Sequence, residues 1–390
     1  MGKIFDIEIS KLEEIMGCIT AREISQQPRL WRETLQRVEE NKNVIEDFFL
    51  KLKSKKIKVI FTGAGTSEFV GNTVVPYLKE IGIDAHSYAT TDIVTSPESY
   101  LGKEDDVLLI SCARSGNSPE SVATVELAEK LVENLYQIII TCNVDGELSK
   151  KARLNKKSLL LLMPEDSNDK GFAMTGSFTC MCLASLMIFH IETLEQFTEY
   201  VLNISLKGEE LMSLYLDSIK NIAKEDVERI IFLGSASLKG LAQEAALKTL
   251  ELSNGKVMTA FNSPVGFRHG PKSIVNEETL IIIFLSQDKY TRKYDVDLLR
   301  EIKGDKKAKK IVVFDSREDK EVKDLCDTYI NIDLDVCHDI YLVFNYVLLA
   351  QKFAFYKAIE LSVSPDNPCP TGEVNRVVKG VKIYNYKGEI

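Results

Sequence analysis

Lys58-Val59-Ile60-Phe61-Thr62-Gly63-Ala64-Gly65-Thr66-Ser67 reads as a strand, a tight turn and the start of a helix. Lys58–Thr62 is a short apolar, β-branched run, and Gly63 bounds it. Such a run suits a strand covered on both faces, as in a parallel sheet. The helix is expected from about Ser67 to Glu80. A helix N-terminus presents free backbone N–H groups and a positive dipole end, so the turn suits an anion such as phosphate. Taken alone, the turn fits a plain β–α connection equally well. No dinucleotide glycine follows downstream and no Gly-Lys-Ser/Thr is present, so neither nicotinamide nor ATP is expected here.

The unit recurs along the chain. Asp106–Cys112 is another buried strand, followed by Ala113-Arg114-Ser115-Gly116-Asn117-Ser118-Pro119-Glu120-Ser121 and a helix to about Asn134. Ser118 suits the N-cap and Pro119 the first helical turn. Two hydroxyl-bearing turns at neighbouring parallel strands form a crevice, the usual ligand position in an open α/β sheet. Gln137–Asn143 and Ser158–Met163 read as strands, Glu165–Thr175 as a polar loop able to line that cleft, and Thr179–His190 as an apolar helix. The pattern then repeats. Arg229–Leu233 is a strand and Gly234-Ser235-Ala236-Ser237 its turn, with further strands at Thr279–Leu285, Lys310–Phe314 and Thr328–Ile332. The second copy lacks the Ser-Gly-Asn-Ser loop; its equivalent strand ends in Ser286-Gln287-Asp288. The expected fold is α/β: two tandem doubly wound parallel-sheet domains, each three-layer αβα, with a helical N-terminal lead-in and a C-terminal arm. The expected boundaries are 1–56, 57–215, 216–363 and 364–390.

Composition narrows the function classes. A chain of 390 residues with 45% apolar and 27% charged content is that of a soluble globular protein. A net charge of −9 argues against nonspecific nucleic-acid binding. Eight cysteines without a CxxC pair, and no signal peptide, point to a reduced, cytoplasmic setting. Phe178–Ile191 and Ile340–Leu361 read as core helices, being too short or broken by Asn345, Gln351, Lys352 and Lys357. No membrane, metal or other cofactor is expected. His190 reads as a satisfied core histidine.

The acid–base candidates lie in Glu244–Lys272. Leu241, Ala242, Ala245, Ala246 and Leu250 form an apolar helical stripe, and Glu244, Lys248 and Glu251 share another face. Ser253-Asn254-Gly255 stops the helix, with Gly255 suited to a left-handed C-terminal residue. A short β-like run follows, then Phe261-Asn262-Ser263-Pro264-Val265-Gly266-Phe267-Arg268-His269-Gly270-Pro271-Lys272. Turn chemistry constrains this loop, which presents Arg268, His269 and Lys272 together. By themselves the charges read as a solvated i,i+4 face and His-Gly-Pro as a turn. Together they offer a carboxylate and an imidazole for proton transfer.

In this order the motifs resemble the isomerase domain of glucosamine-6-phosphate synthase, and hence the SIS (sugar isomerase) domain family. That family carries Lys-x-x-Glu-x-Ser, here Lys248-Thr249-Leu250-Glu251-Leu252-Ser253, and Lys-His-Gly-Pro, here Arg268-His269-Gly270-Pro271. Its Gly-Thr-Ser turn is matched at Gly65-Thr66-Ser67. Its Ser-Gln-Ser-Gly-Glu-Thr phosphate loop is matched at residues 113–118, with Ala113, Arg114, Asn117 and Ser118 as departures. Glu23-Ile24-Ser25-Gln26-Gln27-Pro28 resembles its lead-in, and Asn375–Val381 its C-terminal arm, with Lys379 matching the lysine that reaches the sugar; otherwise Lys379 is a solvent-facing residue on a terminal strand. The chain most closely resembles the galactosamine-6-phosphate deaminase/isomerase family, also called tagatose-6-phosphate ketose/aldose isomerase, through Asn262–Lys272 and Ser364–Pro370. The resemblance implies two SIS-type domains. It implies phosphate or substrate binding at Gly65, Thr66, Ser67, Arg114, Ser115, Asn117, Ser118 and Glu244. It implies catalysis by Glu251, His269 and Lys379. The implied reaction is deaminating isomerisation of an amino-sugar 6-phosphate, galactosamine 6-phosphate giving tagatose 6-phosphate and ammonia. Aldose–ketose isomerisation without deamination, or a non-catalytic sugar-phosphate sensor, are the alternatives. A homodimer or higher oligomer is implied, with His269 serving its own or the neighbouring subunit's site.

Overall fold

The strand–turn–helix unit forms as β1 (Lys58–Gly63) and α1 (Thr66–Glu80) in a computed structural model that describes residues 2–53, 56–103, 106–376, 378 and 380–386. Next come β2 (Ala85–Ala89), β3 (Asp106–Ala113), α2 (Pro119–Leu131), β4 (Asn134–Thr141), α3 (Glu147–Leu154), β5 (Ser158–Leu162) and α4 (Gly176–Phe189). The strands pair in the order β2-β1-β3-β4-β5, all parallel. Ile60, Val107, Leu109 and Ile139 pack against Val125, Leu131 and Leu148 of α2 and α3. Successive strand residues face opposite sides, so Phe61, Leu108, Ile110 and Ile138 are buried on the other face.

The second copy repeats this plan. Its elements are β6 (Arg229–Leu233), α5 (Ser237–Leu252), β7 (Met258–Asn262), α6 (Pro264–Arg268), β8 (Thr279–Phe284), α7 (Thr291–Asp305), β9 (Lys310–Asp315), α8 (Lys320–Leu325), β10 (Thr328–Asn331) and α9 (Asp339–Glu360). The strand order β7-β6-β8-β9-β10 is that of the first sheet, and every pair is again parallel. The two sheets therefore share one strand order. The edge strand β2 and a short hairpin at Lys3–Glu8 carry no signal that the sequence reading used.

The chain divides into two compact units, one per sheet. The first-sheet unit holds Leu30–Asp169, Gly176–Thr198 and Glu373–Ile390; the second-sheet unit holds Met1–Arg29, Lys170–Thr175 and Glu199–Gly372.

Helix α9 is buried from Asp339 to Ala358 despite its polar residues. Lys352 Nζ donates to the Leu211 carbonyl at 2.5 Å and Lys357 Nζ to the Ala223 carbonyl at 3.2 Å, each the last residue of a helix. Cations suit those C-terminal carbonyls. Asn345 Nδ2 donates to the Ile204 carbonyl, and Gln351 Oε1 accepts from Gln27 Nε2. These bonds explain how the residues that interrupt the apolar run sit inside a core helix. No single described helix is long and apolar enough to cross a membrane.

The Pro-rich tail is an ordered loop in the second-sheet unit. The Asp366 carboxylate accepts from Ile19 N at 3.0 Å and from Thr20 N and Oγ1, both at 2.7 Å, capping the helix Cys18–Ser25. A carboxylate at a helix N-terminus is favoured by the dipole and by charge-assisted bonds. Asp366→Ala is expected to cost on the order of 2 kcal/mol of stability, read as a lower urea midpoint with unchanged slope; an unchanged midpoint would count against this cap.

The Glu165–Thr175 segment is a loop with a short 3-10 turn at Glu165–Ser167, and its Ser167, Asp169, Ala173 and Thr175 are buried. Asp169 takes the backbone N–H groups of Gly176 and Ser177, which start α4. Among the described residues of 375–381 there is no strand.

Candidate active site

In the first-sheet unit the site begins at the carboxyl ends of β1 and β3. Gly63 is required: a Cβ there would lie 2.4 Å from the Ser67 carbonyl carbon. Gly65 has φ +55° and ψ −128°, a backbone that side chains disfavour. The strand thus turns at once into α1, and Thr66 and Ser67 occupy its first turn, both buried. The loop after β3 is braced from behind by the turn between β4 and α3. Asn143 Nδ2 donates to the Ser115 carbonyl at 2.8 Å, Leu148 N to the Gly116 carbonyl at 3.1 Å, and Glu147 N to Asn117 Oδ1 at 2.9 Å. Gly116 adopts φ +62°, and Gly146 leaves the Ser115 carbonyl room to approach. Ser118 Oγ donates to Ser121 Oγ at 2.6 Å, and Pro119 opens α2. The result is a preformed, hydroxyl-lined turn pair at the point where the strand order reverses. Arg114 is buried, and its Nη2 donates to the Arg376 carbonyl at 3.0 Å. Lys379 lies outside the described residues.

The equivalent position in the second copy is filled from within. Gly234 matches Gly63, and Ala236, at φ +49° and ψ −122°, stands where the first copy has Gly65. There Ser235 Oγ donates to Asp295 Oδ1 at 2.6 Å, and Ser286 N to Asp295 Oδ2 at 3.1 Å. The Asp339 carboxylate accepts from Ser286 Oγ and from Gln287 N. Arg292 binds Asp315 through both Nη atoms and also binds Asp319. Internal carboxylates therefore occupy the donors that an anion would need.

Burial pushes the Asp295 carboxyl up to about 6, against the opposing pull of its bonds from Ser235 and the Ser286 N–H. Between its ordinary value of 3.8 and 6 the folded chain holds a proton that the unfolded chain has released. This group's contribution to stability is thus lost as pH rises through that window. Asp295→Asn is expected to melt above the wild type at neutral pH, with the difference closing towards pH 4. Melting curves at the two pH values test it, and a variant less stable at both would contradict it.

In the second-sheet unit, α5 carries the acid–base candidates. The apolar stripe holds at Leu241, Ala242, Ala245 and Ala246, but Leu250 is exposed. The charged stripe is the reverse of a solvated face. Glu244 is 0% and Lys248 1% exposed, because α9 packs over α5. Lys248 Nζ lies 2.5 Å from Glu251 Oε2 and 3.7 Å from Glu244 Oε1. Glu251 retains 25% side-chain exposure. Asn254 and Gly255 both take positive φ, and Gly255 N bonds the Leu250 carbonyl, ending the helix as expected.

Strand β7 then leads into α6, whose N-cap Ser263 accepts from Gly266 N. His269 follows α6 and is exposed, with Gly270 next to it at φ +109°. Arg268 and Lys272 do not join it. Arg268 pairs with Asp297 at 2.9 Å and Glu301 at 2.7 Å, and Lys272 pairs with Glu301 and Asp305, all on α7. The loop therefore presents the imidazole, and its cations serve as anchors. The other histidines have structural partners: His190 with Tyr77 at 2.9 Å, His86 with Asp84, and His338 at the N-cap of α9. Burial pushes Cys112 and Cys142 up to about 12, so neither is a nucleophile. Among the described residues no group of three His, Cys, Asp or Glu could hold a metal ion.

Comparison with known proteins defines the class first. The SIS domain family matches residues 51–191. D-galactosamine-6-phosphate deaminase AgaS of Shewanella sp. (strain ANA-3) is 41% identical over 373 residues, covering 94% of this chain and 92% of its own. A Clostridium novyi protein provisionally assigned as a tagatose-6-phosphate ketose/aldose isomerase superposes with a TM-score of 0.96 at 47% identity, covering 99% of this chain and 100% of its own. The tagatose-6-phosphate ketose/aldose isomerase from Escherichia coli gives 0.87 at 36% identity, covering 95% and 98%. The chain belongs to the SIS-domain family, within the branch formed by these deaminases and ketose/aldose isomerases.

Proposed function

We propose that this protein is a deaminating isomerase that converts galactosamine 6-phosphate and water to tagatose 6-phosphate and ammonia. The observation that carries the reading is Glu251, an accessible carboxylate with one oxygen held by Lys248. It ends a buried helix in a chain that matches galactosamine-6-phosphate deaminases over nearly its whole length. The phosphate is assigned to Gly65, Thr66, Ser67, Ser115 and Ser118, with Asn117 bracing the loop through its bond to Glu147 N. The exposed His269 moves the proton that opens the pyranose ring. Glu251 takes the proton from C2 as O1 gains one, leaving an enolamine. It returns the proton to C1 as the nitrogen loses one, giving the C2 imine. Water adds at C2 and ammonia leaves, so the ketose 6-phosphate remains. Lys379 is assigned an auxiliary role from its position in the arm.

The buried Glu244 is assigned to holding Lys248 in place and not to binding sugar. The likeness to tagatose-6-phosphate isomerases supports a second reading. With a hydroxyl in place of the amine, the same proton transfer interconverts aldose and ketose. A homo-oligomer in which His269 serves a neighbouring subunit's site is part of the proposal, as is a cytoplasmic location, supported by eight free cysteines. Ammonia release measured on galactosamine and glucosamine 6-phosphates tests the reading, with galactosamine 6-phosphate expected to be the better substrate. Isomerisation of tagatose 6-phosphate with no ammonia from either amino sugar would favour the second reading. Binding without turnover of any of the three would leave only a sensor.

A further inference from the structure

The residue after β3 is the one basic departure in the phosphate loop, and its guanidinium is engaged by the C-terminal arm. Arg114 is buried, and its Nη2 donates to the backbone carbonyl of Arg376, 262 residues further on. The Arg376 guanidinium in turn donates to the carbonyl of Asp169. Asp169 is fixed by its own bonds, because its carboxylate takes Gly176 N, Ser177 N and Ser177 Oγ at the start of α4. Beyond this point the arm is attached once more. Tyr386 packs against the hydrophobic cluster under α2, and its hydroxyl donates to Glu98 at 2.5 Å. Residues from 373 onward accordingly fall in the same compact unit as the phosphate loop.

We propose that Arg114 is a positioning residue that docks the C-terminal arm onto the phosphate loop, and that it is not itself a phosphate ligand. A backbone carbonyl is an acceptor that any sequence supplies, so the arm is recognised by its path. The two arginines act in series. Arg114 holds the arm's backbone, and the arm's own side chain holds the segment that caps α4. Loss of either charge-assisted bond frees the same stretch of chain. The consequence for turnover rests on the deaminase reading, which places an auxiliary lysine three residues beyond Arg376.

The test uses the full chain in three forms: Arg114→Ala, Arg376→Ala and the double variant. Arg376 is exposed, so its variant remains informative if the buried Arg114 change impairs folding. Removing a charged donor should raise the undocked fraction of the arm about ten- to a hundredfold. Chymotrypsin cleavage at Tyr384 should accelerate accordingly in both single variants. Inhibition by inorganic phosphate should change by less than about threefold, because no phosphate contact is lost. The double variant should cleave no faster than the faster single. If Arg114→Ala weakened phosphate inhibition more than about tenfold with cleavage unchanged, Arg114 would be a phosphate ligand and the proposal would be overturned. Additive effects of the two changes on cleavage would also overturn it. Failure of the deaminase reading is seen separately, as absence of ammonia release from the wild type, and leaves the cleavage and phosphate measurements valid.

Discussion

Glu251→Gln is expected to lower turnover by about 100- to 10,000-fold, the usual range for removing a general base. The amide keeps the shape of the side chain and its bond to Lys248, but it cannot hold a carbon-bound proton. Two features single out this carboxylate. It is a quarter exposed, whereas Glu244, seven residues earlier, is completely buried. Lys248 occupies its Oε2 at 2.5 Å, which leaves Oε1 to work between C2 and C1 of a bound sugar. Sugar-phosphate affinity should survive the change, because the phosphate assignment lies on other elements. Incorporation of solvent deuterium at C1 should fall in parallel with ammonia release. Glu244→Gln should lose stability before it loses catalysis. If Glu251→Gln turned over near-normally while folded Glu244→Gln did not, the base would have to be reassigned to Glu244.

The parts of this molecule that were legible in its sequence are those governed by local chemistry. The strands Lys58–Gly63 and Arg229–Leu233 were legible as apolar, β-branched runs bounded by glycine, whereas the strand order within each sheet is set by how the crossover helices pack and has no local signal. The Gly63–Ser67 turn was legible because Gly63 and Gly65 are demanded by the backbone itself. The burial of the charged stripe on α5 has a tertiary cause that its own spacing does not carry. Charges four residues apart usually mark a solvated face, but α9, about ninety residues later, covers this one and leaves Leu250 outside. Arg268 and Lys272 looked like part of a basic site because their partners, Asp297, Glu301 and Asp305, lie on α7, about thirty residues downstream. The bond from Arg114 to the Arg376 carbonyl was not legible for the same reason: its acceptor is a distant backbone group with no sequence signature. Nothing local foretold that Ala236 would adopt the conformation of Gly65, and the second copy's closure by Asp295 depends on a contact 60 residues apart.

The second large effect is expected at Lys248, and it should appear in stability as well as in rate. Its side chain is 1% exposed, and its ammonium lies between a fully buried carboxylate and a partly exposed one. A buried ion pair gives little net stability relative to an apolar replacement of the whole set, but removing one member leaves a charge in a site too dry to solvate it. Lys248→Met keeps most of the side-chain volume and removes only the charge. The expected loss is about 3–5 kcal/mol, measured as a fall in the urea midpoint. Removing the buried carboxylate as well should return part of that loss, because the stranded charge goes with it. The Lys248→Met, Glu244→Leu pair is therefore expected to be more stable than Lys248→Met alone. Turnover should not return in the pair, since Glu251 would still lack the cation that holds its Oε2. A pair no more stable than the single variant would mean that Glu244 and Lys248 are not energetically coupled. A pair with restored turnover would mean that Glu251 does not need Lys248 to hold its working geometry.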